Sequence, residues 1–278
     1  MTLQHTGIRA LTARAWALLQ KNWILFGLMM LETLFTLFLL GGQAGGLNPL
    51  LFVLMIYLHL VVLGGWFYQM KRIALQPEYR ATWGDFFSGV SLHAGRMLVG
   101  GGYLLLVLLA VMFVSSLAIN FVVPAPQTEV LTELQNLAAA GDNQKLWDFV
   151  QAQPELQSQI GKVLVIFFAA MGVLGLFLLS IFFWPYNVVL YGMRWREAWR
   201  FSRRFMLQAW RPLLPLAAAW TMVHVFFVLS ALTGQVLIVM LTYMAYLLAK
   251  TLLPLMTLLF LVDYAPEQLT PFEEEPAA

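Results

Sequence analysis

Hydrophobic and polar positions follow two rhythms along this chain. Short stretches carry apolar residues at helical spacing, and each leads into a long run with hardly any polar residue. Ile8, Leu11, Thr12, Ala15, Leu18 and Leu19 form one set; Trp83, Phe86, Phe87, Val90, His93 and Ala94 a second; Trp195, Ala198, Trp199, Ser202, Phe205 and Met206 a third. The spacing i, i+3, i+4, i+7, i+10, i+11 gathers each set on one helical face. It predicts three amphipathic helices lying along a membrane surface, each followed by a hydrophobic hairpin. Crossing a hydrocarbon layer of roughly 30 Å needs about 20 residues. Six runs reach that length, over 22–40, 48–68, 97–121, 163–184, 212–232 and 237–262. The last holds Lys250 and Pro254, so a kink or a split is open there.

The expected fold is therefore all-α: a polytopic transmembrane protein of three units over 1–262, each an interfacial helix plus a hairpin. Shifting the first unit by 187 positions lays its apolar face on that of the third and brings Trp23 onto Trp210. Either a true internal repeat or the helical period alone accounts for that match. Gly41 to Gly46 and Thr233 to Gln235 read as tight outer turns. The middle hairpin is interrupted over 123–159, where Leu131, Leu134, Leu137 and Ala138, then Leu146, Trp147 and Val150, predict two short helices flanking a Gly141-Asp142-Asn143 turn. That segment is expected to cap the outer face. Residues 263–278 are Pro-rich and acidic, and a disordered cytoplasmic tail is expected there.

Composition agrees with the pattern. Of 278 residues, 61% are hydrophobic and 11% charged, whereas soluble domains carry about a quarter charged residues. Charge placement sets the orientation. Arg9, Arg14 and Lys21 precede the first span, Lys71, Arg72, Arg80 and Arg96 fill the second connection, and Arg194, Arg196, Arg200, Arg203, Arg204 and Arg211 fill the fourth. The opposite side has Lys145 and Lys162 among five acidic residues. The positive-inside rule then puts both termini in the cytoplasm. A cleavable signal with its site at Gly42-Gln43-Ala44 competes for the first span, against an apolar run and a leading segment both long for a signal.

Candidate chemistry falls in two places. Arg196, Arg200, Arg203 and Arg204 share roughly a 100° arc opposite the aromatic face carrying Trp195 and Trp199. Guanidinium groups beside aromatic rings at headgroup depth suit anionic phospholipid, or a membrane partner, and equally serve only to set topology. Glu32 and Lys250 sit near the middle of their spans, where an isolated charge costs several kcal/mol. Pairing them is the simplest solution, as a packing clamp or as a gate. His224 in the fifth span is a relay candidate or a packing residue, and Tyr186 and Asn187 are expected to serve backbone groups freed by Pro185.

Signatures of enzymes are missing: there is no Gly-x-Ser-x-Gly, Gly-Lys-Ser/Thr or His-Glu-x-x-His motif. Cysteine is absent. The four histidines, His5, His59, His93 and His224, lack ligand spacing, so neither cofactor nor metal is expected, and membrane-tied basic segments argue against nucleic acid. Gly64-Gly65 and Gly100 to Gly102 suit close helix packing.

The string Leu190 to Leu214, with Ala198, Ser202 and Trp210 on the helix entering the fifth span, and Thr82 to Leu98, with Gly84-Asp85-Phe86-Phe87-Ser88-Gly89, resemble the membrane domain of bacterial glycerophosphodiester phosphodiesterases and related six-span inner-membrane proteins. The resemblance implies interfacial helices and hairpins in a bacterial-type inner membrane. It carries no catalytic residue across, since that family's active site lies in a separate soluble barrel. The expectation is a non-enzymatic membrane protein engaging anionic phospholipid or a membrane partner. The alternative is a transporter or permease subunit with Glu32, His224 and Lys250 on its pathway.

Overall fold

A computed structural model describes residues 7–41, 49–124, 128–141, 143–231 and 236–264. Among them every regular element is an α-helix and none is a strand, as the apolar periodicity predicts. The helices are α1 (Ile8–Lys21), α2 (Ile24–Gly41), α3 (Pro49–Leu75), α4 (Trp83–Val122), α5 (Thr128–Ala140), α6 (Asn143–Gln151), α7 (Pro154–Ser180), α8 (Trp184–Leu190), α9 (Trp195–Ala231) and α10 (Val236–Tyr264). Four stretches, Val53–Leu75, Trp83–Val122, Pro154–Leu190 and Met240–Tyr264, are long and apolar enough to cross a membrane. Ile24–Leu34 and Leu213–Phe227 are shorter apolar stretches. The expected turns over 41–46 and 233–235 fall mostly or wholly outside the described residues, as does the acidic tail beyond Tyr264.

The chain forms two units, one built from the segments up to Gly102 and from Ile181 on, the other from Tyr103–Ser180. In the first, α10 packs against α1, α2, α3 and α9, while α8 packs between α3 and α9. Leu255, Leu258, Leu259, Met70, Ile73 and Leu190 are its fully buried centre. The predicted face of α1 buries Leu11, Ala15, Leu18 and Leu19, and the Thr12 hydroxyl reaches the Met256 sulfur at 3.7 Å. This face therefore packs on α10. The third set behaves alike, with Ala198, Ser202 and Phe205 buried.

The second set is rotated from its predicted face. α4 buries Asp85, Gly89, His93, Met97, Gly100 and Gly101, while Trp83 and Phe87 are exposed. Small residues on the buried side let the helices approach closely. The approach is tight enough to exclude any Cβ. One added at Gly65 would lie 2.6 Å from the Phe86 carbonyl, one at Gly100 2.6 Å from the Trp184 ring, and one at Gly89 would collide with the Tyr68 Cβ. The glycines expected to serve packing do so.

Breaks in the helices have local causes. Pro212 lacks the N–H that would bond the Gln208 carbonyl, and three residues before it Ala209 leaves helical geometry at φ −107°, ψ 15°. α10, in contrast, runs unbroken past Pro254, so the split left open there does not occur. Pro185 lies in the first turn of α8, where a missing N–H leaves nothing unpaired. The role expected for Asn187 is thus corrected: its amide donates to the Ala198 carbonyl at 3.3 Å, joining α8 to α9.

In the second unit α5 packs on α6 and α6 on α7. Gly141, at φ 69°, makes the left-handed turn between α5 and α6 that the Gly-Asp-Asn signal predicts. α5 buries none of its residues. Along α4 beyond Gly102 and along α7, large apolar side chains such as Phe113, Phe168 and Leu176 are exposed.

Candidate functional site

Asn22 ends α1 by bonding in two directions: its amide donates to the Leu18 carbonyl at 2.9 Å and its oxygen accepts from the Ala81 N–H at 2.7 Å. This ties the α1–α2 junction to the connection before α4. That connection closes on Asp85. Thr82 and Asp85 form a capping box, the Thr82 N–H donating to the carboxylate at 2.7 Å and its hydroxyl at 2.9 Å, with the Asp85 N–H returning to that hydroxyl at 3.3 Å. Arg72 pairs with the other carboxylate oxygen, and its guanidinium lies 4.2 Å over the Tyr79 ring. The Tyr79 hydroxyl donates to Asp85 at 2.9 Å. Burial, and next the Asp85 carboxylate it bonds, push the Tyr79 phenol above its ordinary range, so it stays a donor. Every lone pair of Asp85 has work within the fold, so this knot is a brace.

Glu32 sits differently. It lies halfway along the 18 residues of α2, nearly buried. One carboxylate oxygen is 3.6 Å from Lys250 Nζ on α10, and the other is 2.6 Å from His59 Nδ1 on α3. The structure thus brings Glu32 and Lys250 together and adds His59. His224 lies on α9, and its side chain is outside what the structure describes. Leu28, Leu31, Met55, Leu58, Val62 and Phe86 join Glu32 and His59 around an open groove of about 200 Å³. Metal-ligand spacing among the histidines does not single out His59. Glu32 is the signal that could have found it, since a carboxylate at that depth needs a donor on the adjacent span.

The third place is the outer side of α9. Arg196, Arg200, Arg203 and Arg204 are all exposed, and none of them pairs with a carboxylate among the described residues. The opposite side is fixed: Ala198, Ser202, Phe205 and Ala209 are buried, and the Ser202 hydroxyl accepts from the Phe183 N–H at 3.0 Å. Two tryptophans border the cations. Arg196 lies 5.2 Å over the Trp195 ring, which meets Trp199 edge-on at 5.4 Å. The cations therefore cannot turn inward without unpacking the helix.

These features define a helical protein with four helices fit to cross a membrane. Among the described residues no cluster of three or more His, Asp or Glu side chains could hold a metal ion. No protein-family model, curated protein or solved structure matches the chain, so its function has to be argued from its own residues.

Proposed function

We propose that this is a non-enzymatic integral membrane protein that binds anionic phospholipid through the arginine side of α9. One observation carries the reading: four exposed guanidinium groups share one helical side, with no carboxylate paired to them among the described residues, while the other side is locked into the core. Guanidinium groups grip phosphate oxygens through paired N–H donors. Flanking tryptophans hold the helix at headgroup depth. Each basic residue near an anionic surface contributes about 1 kcal/mol.

The setting that goes with this reading has six spans, the four long helices plus α2 and the part of α9 after Ala209, in a bacterial-type inner membrane. Both termini and the arginine side face the cytoplasm, where Lys and Arg concentrate. The resemblance to the membrane domains of glycerophosphodiester phosphodiesterases is consistent with such an arrangement and adds no chemistry.

The test compares wild type with an Arg196/Arg200/Arg203→Gln variant, each released from nanodiscs holding phosphatidylglycerol and phosphatidylcholine, by native mass spectrometry. Three lost cations should lower phosphatidylglycerol retention on the order of a hundredfold, at about 1 kcal/mol each, with thermal stability unchanged. Undiminished retention would overturn the proposal.

A second reading, as a transporter subunit, draws on the Glu32–Lys250 contact within the apolar runs. It requires Glu32→Gln to abolish solute flux in proteoliposomes while the protein still folds.

A further inference from the structure

The groove beside Glu32 has a shape and a polarity that the arginine side does not explain. Its walls are Leu28, Leu31, Met55, Leu58, Val62 and Phe86, an aliphatic and aromatic lining suited to hydrocarbon. Its polar members are Glu32 and His59. Three facts narrow what could occupy it.

Depth comes first. Glu32 is midway along an apolar helix of 18 residues, roughly 27 Å long at 1.5 Å per residue, so a phosphate headgroup held at the surface is a dozen ångströms away. Charge comes second. The Glu32 carboxylate already faces Lys250 at 3.6 Å, so a charged occupant would add an unmatched charge in a medium that penalises it. Hydrogen-bonding capacity comes third. A carboxylate only accepts, so His59 donates to Glu32 from Nδ1, and in the neutral ring, the form that leaves Lys250 as the counter-charge of the carboxylate, Nε2 keeps a lone pair. The His59 side chain is 39% exposed, and no other hydrogen bond of its ring occurs among the described residues. An acceptor at an apolar groove calls for a neutral donor.

We infer that this groove binds a neutral lipid bearing a free hydroxyl, whose O–H donates to His59 Nε2 while its hydrocarbon lies along Leu28, Leu31, Leu58 and Val62. Glu32 acts as a positioning residue that orients the ring, and Lys250 balances the carboxylate. The site is independent of the arginine side in both charge and depth.

The test uses the full chain in nanodiscs doped with dioleoylglycerol, or with its methyl ether, which keeps the chains and loses the donor. Retention is read by native mass spectrometry. One neutral hydrogen bond predicts that wild type holds dioleoylglycerol about five- to tenfold better than the ether. His59→Phe, which keeps an apolar ring, should erase that preference. Leu58→Trp, which fills the groove at a half-exposed position and leaves the Glu32 pairings in place, should lower retention of both lipids. Equal retention of the two lipids by wild type, or dioleoylglycerol retained undiminished in the Leu58→Trp protein, overturns the inference, and so does displacement of dioleoylglycerol by phosphatidylglycerol. Should His59→Phe not fold, the ether comparison and Leu58→Trp decide alone. Loss of phosphatidylglycerol binding in the arginine variant bears on neither lipid here.

Discussion

Asp85 and Glu32 are two acidic residues in the same unit, each carried by an apolar helix and each facing a base, and their surroundings divide their roles. Asp85 stands at the start of α4 with donors from Arg72, Tyr79, Thr82 and the Thr82 backbone around it. It is 3% exposed. Glu32 stands in mid-helix, facing His59 on α3 and Lys250 on α10, at the edge of a groove. A carboxylate saturated by short-range donors fixes a connection. A carboxylate shared between a lysine and a histidine that still has capacity to spare provides a site.

The sharpest way to break the contrast is Asp85→Ala. It leaves the Arg72 guanidinium without its counter-charge and strands the Tyr79 hydroxyl and the Thr82 N–H. Removing one partner of a buried ion pair costs about 3–5 kcal/mol. The expected outcome is a large fall in unfolding temperature, followed by intrinsic tryptophan fluorescence in mild detergent. A fall no larger than that of Glu32→Gln would mean that Asp85 braces the fold no more than Glu32 does.

Next in size is the packing that holds Asp85 in place. Gly89→Ala puts a Cβ into the Tyr68 Cβ, neither of which can rotate away, and overpacking of this kind costs about 1–3 kcal/mol. Gly84→Ala is the control. Its Cβ would meet only the Thr82 hydroxyl, at 3.5 Å, and Ala is the better helix former by up to about 1 kcal/mol. Gly89→Ala should therefore lower the unfolding temperature while Gly84→Ala leaves it level or raises it.

What could be read from the chain, and what could not, follows the same line. Periodicity showed that the regular structure would be helical, and the apolar sets expected to lie along a membrane surface are instead the sides that α1 and α9 bury in the protein, Leu11, Leu18, Ala198 and Phe205 among them. On α4 it held at His93 but failed elsewhere, since Trp83 and Phe87 face out and Asp85 and Gly89 face in. There small and polar residues make the helix contacts, and a hydrophobic pattern does not register them. The Glu32–Lys250 contact was legible from depth alone, since each charge needed a partner. His59 and the Asp85 knot were not, because hydrogen bonds between α2 and α3, and between α3 and the start of α4, depend on helix rotation that sequence spacing leaves free.

The smallest expected effect tests whether Glu32 is a clamp or a site. In a membrane protein the coupling between polar side chains on neighbouring helices averages well under 2 kcal/mol, so Glu32→Gln alone should cost about 1 kcal/mol, less than half the cost of Asp85→Ala. Gln keeps an acceptor for His59 and removes the charge facing Lys250, so the loss reports the ion pair. Lys250→Met should cost a similar amount, since it strands the carboxylate. The double variant Glu32→Gln/Lys250→Met leaves no uncompensated charge, and exchanging a buried ion pair for uncharged side chains of similar volume is often neutral. It should recover most of the stability lost by either single change. That recovery would make the pair dispensable to folding, leaving the orientation of His59 as the reason for a carboxylate at this depth. A double variant no more stable than the singles would make Glu32 a brace of the same kind as Asp85, and the contrast between the two would then be one of degree.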